Sequence, residues 1–555
     1  MTPADLATAV LDAVHAAIDA GELAVGHDQV PSEIKVERPK LREHGDYSTN
    51  AALQLAKPAG VNPRAVADLL ADRLRAVDGI AAVDVAGPGF LNVTLDPAAQ
   101  GELARSILVA AHAYGRSTAL RGVAINLEFI SANPTGPLHL GHTRWAAVGD
   151  AMARVLEAAG ARVAREFYIN DRGVQMDRFG QSLEAAALGN PIPEDGYQGA
   201  YISDLARQIV DDDPSLKSLA EPDRMIAFRE AGYALQLEQQ KAVLDSFRTH
   251  FDVWYSERTL HDSGAVDRGF EKLRAMGHTF EADGAFWLRT TDFGDDKDRV
   301  LVKSDGELTY FASDSAYYVD KRARGFDVCI YLLGADHHGY VNRLKAIAAC
   351  AGDDPEYNID VLIGQMVKMY KGGEEVRLSK RAGNIITLED LVDEVGVDAA
   401  RYTLTRYPAD SPLTLDLDQM VQQTNENPVY YVQYAHARIS SVLRNATDLG
   451  LTPDAESFEP ALLAHERESD LLGALGEFPR VVASAGELRE PHRVARYLEE
   501  LATAYHKFYD VCRVLPMGDD PSTPLNNARL VLCAATRQTI GNGLDLLGVS
   551  APERM

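Results

Sequence analysis

The chain has 555 residues, 46% hydrophobic and 25% charged, which is enough for about three or four domains with sizeable cores. Its formal charge of −27 excludes a basic field over the whole protein as the means of holding nucleic acid; only a local basic face is left for such a partner, and DNA is not expected as one. Cys329, Cys350, Cys512 and Cys533 are too scattered for a structural zinc and read as reduced thiols of a cytoplasmic protein, while the acidic start lacks a signal-peptide layout and no run approaches the ~18 apolar residues of a membrane span.

Residues 1–115 read as a separate N-terminal α/β domain. The pattern predicts a helix over 4–20, a strand over 34–38, and a helix entered at Ser48–Thr49–Asn50. A second helix is expected over 63–77, with Pro63 near its start, followed by strands over 81–86 and 90–95 around Gly87–Pro88–Gly89. Nothing in this region has the look of catalysis, and GPGFLN alone reads as a hairpin turn with a core Phe90.

Residues 116–400 alternate strands and helices, the pattern of a Rossmann-type parallel sheet. Strands are expected over 124–129, 162–169, 328–333 and 361–366, with an acid- and Gln-rich helical insertion at about 172–300. Ligands of such sheets sit at the carboxyl ends of the strands. The first strand ends in SANPTGPLHLGHTRWAAVGD, which turns into a helix expected over 143–159. A strand, a tight turn and a helix N-terminus make a phosphate site, because free N–H groups and the helix dipole point at the ligand. His139 and His142 can donate to a triphosphate as charge builds, and Gly141 permits close approach of a flat group such as adenine. The 328–333 strand ends in GADHHGY, where Asp336 suits ribose hydroxyls and His337 stands next to it.

A bare HxxH reads more often as a pair of satisfied turn histidines. PTGPLHLGH, however, resembles the HIGH signature of class I aminoacyl-tRNA synthetases, and LEFISANPTGPLHLGH is most similar to the arginyl-tRNA synthetase family. The resemblance implies an arginine–tRNA ligase: ATP activates L-arginine to the adenylate, and the arginyl group passes to the terminal adenosine of tRNA(Arg). It implies ATP contacts at Gly136, His139, Gly141, His142, Asp336 and His337. VRLSKRAGN resembles the KMSK signature, with Arg377 and Leu378 in its first two places and Ser379 and Lys380 kept. A lysine there neutralises the β- and γ-phosphates as pyrophosphate leaves, so His139, His142 and Lys380 are the expected catalytic residues. Mg²⁺ is expected to arrive with ATP rather than in a protein cage.

An arginine side chain is planar, always charged and rich in donors, so its pocket needs carboxylates. Tyr310 and Asp314, four apart, share a helix face, although alone they read as a core Tyr and a surface Asp. By resemblance Ser131 and Asn133 hold the α-amino and carboxylate end, and Glu128, Tyr310 and Asp314 shape the side-chain pocket; which carboxylate meets the guanidinium stays open. Glu128 and Asp314 are then expected to face one hollow, and citrulline and lysine should bind poorly. The family also implies that activation needs bound tRNA.

Residues 401–555 become helical, with long helices expected over 415–444, 492–514 and 529–547 and a loop or lid over 448–470. VDAARYTLTRYPAD and NPVYYVQYAHARISSVLR resemble the family's anticodon-binding helical domain. With 12 Lys/Arg against 17 Asp/Glu across 430–555, any tRNA face must be local. Tyr430, Tyr434 and Arg438, together with Arg493, Arg496 and Lys507, are the candidates, although a core stripe accounts for most of the tyrosines. GDYSTN and GPGF resemble the family's extra N-terminal domain, which makes Phe90 and Asn92 candidate contacts to the outer corner of tRNA. The rivals are another class I synthetase, such as the cysteinyl type, and a non-catalytic tRNA-binding paralogue. The missing zinc ligands oppose the first, and the intact HLGH and SK positions oppose the second. A monomer is expected, since no dimer stripe stands out.

Overall fold

The computed structural model describes residues 1–39, 41–376, 386–518 and 520–555, and only the backbone of Arg42. The helix Pro3–Asp19 begins at a capping box formed by Thr2 and Asp5. An antiparallel sheet follows in the order Val36–Glu37, Tyr47–Thr49, Phe90–Leu95, Ile80–Ala86, with the helices Ala51–Ala59 and Pro63–Leu74 closing a core of its own. The strand expected over 34–38 is only Val36–Glu37, and GDYSTN forms the strand Tyr47–Thr49 before the helix begins behind Asn50.

Among the described residues the central sheet has five strands: β1 (Ala124–Glu128), β2 (Arg162–Ile169), β3 (Val253–Ser256), β4 (Val328–Gly334) and β5 (Ile359–Gly364). Their order is β5-β4-β1-β2-β3, all parallel. β1 lies in the middle and is buried at every residue, as a strand covered on both faces must be. Chain order reverses beside β1, so its carboxyl end is the switch point of the sheet.

From that end the chain enters helix α1 (Leu140–Ala158). Gly149 lets α1 lie against the strand end, because a Cβ there would come within 2.4 Å of the Phe129 ring. The expected insertion is helical over Val174–Leu188, Ala200–Asp212 and Asp223–Ser246, around a small core of Phe179, Leu183, Ile202, Leu205 and Phe228. It does not run unbroken to 300, because β3 rejoins the sheet beside β2. β3 is four half-buried residues, too short to show a period in the sequence. The rest is two helices and an antiparallel sheet of Thr279–Ala282, Ala285–Leu288 and Arg299–Val302, which lead to helix α2 (Tyr310–Ala323).

The helix expected over 415–444 is corrected as well. Leu413–Asp416 is a strand, parallel to Val367–Lys371, and the long helix is Pro428–Asp448, opened by Pro428. The 448–470 segment is strapped down rather than free to swing: Arg105 donates to the Ala455 carbonyl at 2.5 Å and to that of Phe458 at 2.9 Å. Its last residues already belong to the helix Glu466–Gly476. The helices His492–Val511 and Pro524–Leu546 complete the carboxyl-terminal bundle. Fully buried Arg401 ties that bundle to α1, donating to Asp150 at 2.6 Å and to the carbonyls of Phe247 and Leu547. Among the described residues no helix is long and apolar enough to cross a membrane.

Candidate active site

β1 gives out in a strained step: Ile130 and Ser131 have φ of 68° and 44°, the left-handed region that non-glycine residues avoid. The strain is held by Ser131 Oγ, which donates to Glu128 at 2.9 Å and accepts from the Tyr168 amide at 3.1 Å. The turn that follows is gripped from two sides. From the insertion, Gln240 Nε2 donates to the carbonyls of Asn133 (3.1 Å) and Gly136 (2.7 Å), and the Tyr201 hydroxyl donates to that of Thr135 (3.1 Å). From the other side, Leu140 N donates to Ile386 O at 3.1 Å and Leu388 N to Leu138 O at 2.9 Å. Ser379 and Lys380, with Arg377, lie outside the described residues; the segment after them, Ile386–Leu388, pairs with the turn.

α1 starts three residues before the expected position, with His139 as its N-cap. His139 Nδ1 accepts from the Gly141 amide at 3.1 Å, and His142 Nδ1 accepts from the His139 amide at 3.3 Å. The rings lie 3.9 Å apart between centroids. A ring nitrogen that accepts from a backbone N–H carries no proton, so in each of these bonds Nδ1 is the unprotonated nitrogen. Gly141 leaves no room for a side chain: a Cβ would stand 2.9 Å from the His139 ring. Arg144, one turn on, is 2% exposed and donates to the carbonyls of Gln365, Pro408 and Ser411. Burial lowers its pKa to about 10, with Asp410 pulling the other way. Asp336 and His337, in the turn after β4, are exposed and 3.5 Å apart.

A cluster of acids gathers around the end of β1. Glu128, at 8% exposure, is already partnered: Lys321, fully buried on α2, donates to it at 2.5 Å. The Lys321 ammonium sits 3.9 Å from the Tyr331 ring centroid and 4.4 Å from that of Tyr317. Behind it, Glu166 is gripped by the Arg324 fork at 2.6 and 2.9 Å and by the Tyr317 hydroxyl. Burial alone would raise Glu166, but Arg324, Lys321 and Tyr317 outweigh it and hold the carboxylate below its usual range. Asp314 differs. Among the described residues no cation pairs with it, and it accepts a hydrogen bond from the Tyr340 hydroxyl. Burial above all pushes its carboxyl up to about 7; the Tyr340 hydroxyl opposes this, and the negative charges of Glu128 and Glu257 add to it. Tyr168 feels Glu257, Asp314, Glu128 and Asp171 together, so these acids surround one phenol.

The structure thus brings Glu128 and Ser131 into contact at the strand end and sets Asp314 within electrostatic reach of Glu128, while His139, Gly141 and His142 form the turn and helix start that follow in the chain. Asn133 is exposed, and Tyr310, the first residue of α2, is 83% exposed. Lys321, Tyr340, Tyr168, Glu257 and Gln240 were not singled out by the sequence. Two of them were within reach: Lys321 lies seven residues after Asp314, two helical turns along the same face, and Tyr340 closes GADHHGY itself.

Away from this centre, Phe90 (41% exposed) and Asn92 (7%) line a hollow of about 550 Å³ with Lys35, Arg38, His44 and Asn50. In the helical bundle the rings of Tyr430 and Tyr434 stack at 5.9 Å and 6°, and His506 stacks on Tyr434. Arg438 lies over Tyr509 at 4.4 Å. Burial, then Arg438, lowers His506 to about 4. Arg496 and Lys507 share a separate cavity of about 550 Å³ with Arg38 and Arg467, and Arg493 is engaged by Glu490 at 2.5 Å.

Comparison with known proteins covers the whole chain. Family models match as "Arginyl tRNA synthetase N terminal domain" over 4–95, "tRNA synthetases class I (R), catalytic domain" over 104–441 and "DALR anticodon binding domain" over 432–555. The chain is 59% identical over 555 residues to an arginine–tRNA ligase of Frankia alni and 58% identical to one of Renibacterium salmoninarum, covering 100% of both chains in each case. Among solved structures, a putative arginyl-tRNA synthetase from Campylobacter jejuni is 32% identical with a TM-score of 0.75, over 83% of this chain and 100% of that one. The Thermus thermophilus arginyl-tRNA synthetase shares the fold at a TM-score of 0.76 and 23% identity, over 100% of each chain.

Proposed function

The chain belongs to the class I arginyl-tRNA synthetases and carries arginine–tRNA ligase activity, and from that premise we propose how its residues divide the work. The division of domains is 1–115 for the outer corner of tRNA, 116–400 for chemistry and 401–555 for the anticodon arm. ATP, arriving with Mg²⁺ as a substrate complex, lies across Gly136, His139, Gly141 and His142, with Asp336 and His337 toward the ribose. The Nε2 protons of the two imidazoles meet the phosphates. Ser379 and Lys380 act from the segment ahead of Ile386. The arginine carboxylate attacks the α-phosphorus and pyrophosphate leaves; a ribose hydroxyl of the terminal adenosine then attacks the adenylate carbonyl and AMP leaves. No side-chain nucleophile is needed, and the protein's part is placement and charge stabilisation.

Asp314 is the carboxylate that takes the guanidinium. The observation that carries this is the contrast between Glu128, neutralised by Lys321 at 2.5 Å, and Asp314, which among the described residues meets no cation and accepts from the Tyr340 hydroxyl. Glu128 and Ser131 shape the wall, Asn133 faces the α-amino and carboxylate end, and Tyr310 stands at the rim. The bound guanidinium keeps Asp314 ionised. Phe90 and Asn92 meet the tRNA corner, the Tyr430–Tyr434–Arg438 stripe offers rings to unpaired bases, and Arg493, Arg496 and Lys507 meet phosphates. The chain works as a cytoplasmic monomer. The test is to offer each of the radiolabelled amino acids in turn with total tRNA and ATP. Charging with arginine alone supports the reading, and charging with another amino acid overturns it.

A further inference from the structure

Tyr340 is the last residue of GADHHGY, the run whose Asp336 and His337 are assigned to the ribose. Its side chain parts from that company. Asp336, His337, His338 and Gly339 are exposed, whereas Tyr340 is half-buried and packs against the core that Phe311, Leu344 and Ile347 help to form. Its hydroxyl donates to Oδ2 of Asp314 on α2, and the Arg343 guanidinium lies 5.3 Å from its ring centroid. Burial above all raises the phenol's pKa and Asp314 adds to this, while Arg343 and Arg299 oppose it, so the hydroxyl keeps its proton. A neutral donor steadies a carboxylate and favours its charge without cancelling it, whereas Lys321 cancels that of Glu128. One donor on Oδ2 also leaves Oδ1 and a lone pair of Oδ2 for a guanidinium fork. The other groups around Asp314 come from three elements. Glu128 lies on β1, Tyr168 on β2, and Glu257 on the helix Glu257–Asp262. From that helix His261 meets Ser313 Oγ at 3.2 Å, and burial, then Arg172, keeps its imidazole below the usual value.

We propose that Tyr340, although it closes the nucleotide motif, is a positioning residue of the arginine pocket: it holds the Asp314 carboxylate in one orientation, and ionised, for the guanidinium, a role that rests on Asp314 being the acid that meets arginine. Removing the hydroxyl takes away a donor that favours the charged form, so Asp314 then ionises at higher pH and arginine binding follows it upward. The nucleotide turn keeps Asp336 and His337, so ATP use is left largely as it was.

The test is aminoacylation by the full chain between pH 6 and pH 8 in the wild type, Tyr340→Phe, Asp314→Asn and the double variant, with folding followed by thermal melting. In Tyr340→Phe the KM for arginine should rise about fivefold or more at pH 7, and its fall with pH should move up by roughly one unit. The kcat and the KM for ATP should stay within about twofold of the wild type. In the Asp314→Asn background the same substitution should add nothing to the KM for arginine. Tyr340→3-fluorotyrosine keeps the size of the ring and makes the hydroxyl a stronger donor, so it should move the profile to lower pH even if the Phe variant melts early. Equal rises in the KM for ATP and for arginine, an undiminished effect in the Asp314→Asn background, or a pH profile that neither substitution moves would overturn the role of Tyr340. A wild-type KM for arginine in Asp314→Asn alone would instead overturn the assignment of Asp314 on which that role rests.

Discussion

The turn that carries His139 and His142 and the hollow that carries Asp314 share the end of one strand, yet they are built by opposite means. The turn is a backbone device. Its amides, carbonyls and imidazoles are held by local caps, by two hydrogen bonds from Gln240 and one from Tyr201, and by the bond of the Leu140 amide to the Ile386 carbonyl. The hollow is a charge device. Carboxylates from β1 and β2 are each neutralised by a cation on or just after α2, whereas among the described residues Asp314 pairs with no cation. Fixed dipoles suit a triphosphate whose charge grows during reaction. A buried, uncompensated acid suits a ligand that brings its own permanent charge.

Four variants break or sharpen this contrast. The largest effect is expected on the charge side: Lys321→Met leaves Glu128 buried without its partner and should cost about 3–5 kcal/mol of stability, read as a lower denaturation midpoint. Asp314→Asn should then lower kcat/KM for arginine by about 2–5 kcal/mol, carried chiefly by KM, with the KM for ATP little changed. His142→Ala is the mirror case: adenylate formation should fall about 10²–10³-fold with the KM for arginine largely kept. Gln240→Leu removes two bonds to the turn, each worth about 0.5–1.5 kcal/mol, and should weaken ATP use while arginine binding holds. If Asp314→Asn and His142→Ala shifted both substrates alike, the two devices would not be separable.

The same contrast explains what could be read before the structure. The nucleotide turn is contiguous, so its residues, spacing and helix start were legible in one stretch of about a dozen letters. The hollow joins positions nearly two hundred residues apart, and nothing in a linear pattern says that Lys321 spends its charge on Glu128 rather than on solvent. Parallel strands with continuous apolar runs were found; β3 was not, because VWYS is short and half-buried. The pattern from 415 onward reads as helix although Leu413, Leu415 and Leu417 alternate, the period of the strand Leu413–Asp416. Of the tRNA candidates, Tyr430 and Tyr434 stack as their spacing of four implies, whereas Arg493 is set apart from Arg496 and Lys507 by its bond to Glu490.

The smallest effect is the most direct test, because it reads the charge of Asp314 itself. A guanidinium does not titrate in the working range, so a change in its binding with pH is carried by the groups that face it, Asp314 first among them. Asp314 lies near 7, with Glu128, Glu257 and the Tyr340 hydroxyl facing it, and it must be ionised to meet arginine. Raising the pH through that value therefore strengthens arginine binding, and the KM for arginine in aminoacylation should fall about tenfold from pH 6 to pH 8 in the wild type. In Asp314→Asn the same profile should be flat and lie at the weak-binding end. A variant whose arginine KM matched the wild type at both pH values would show that another group holds the guanidinium.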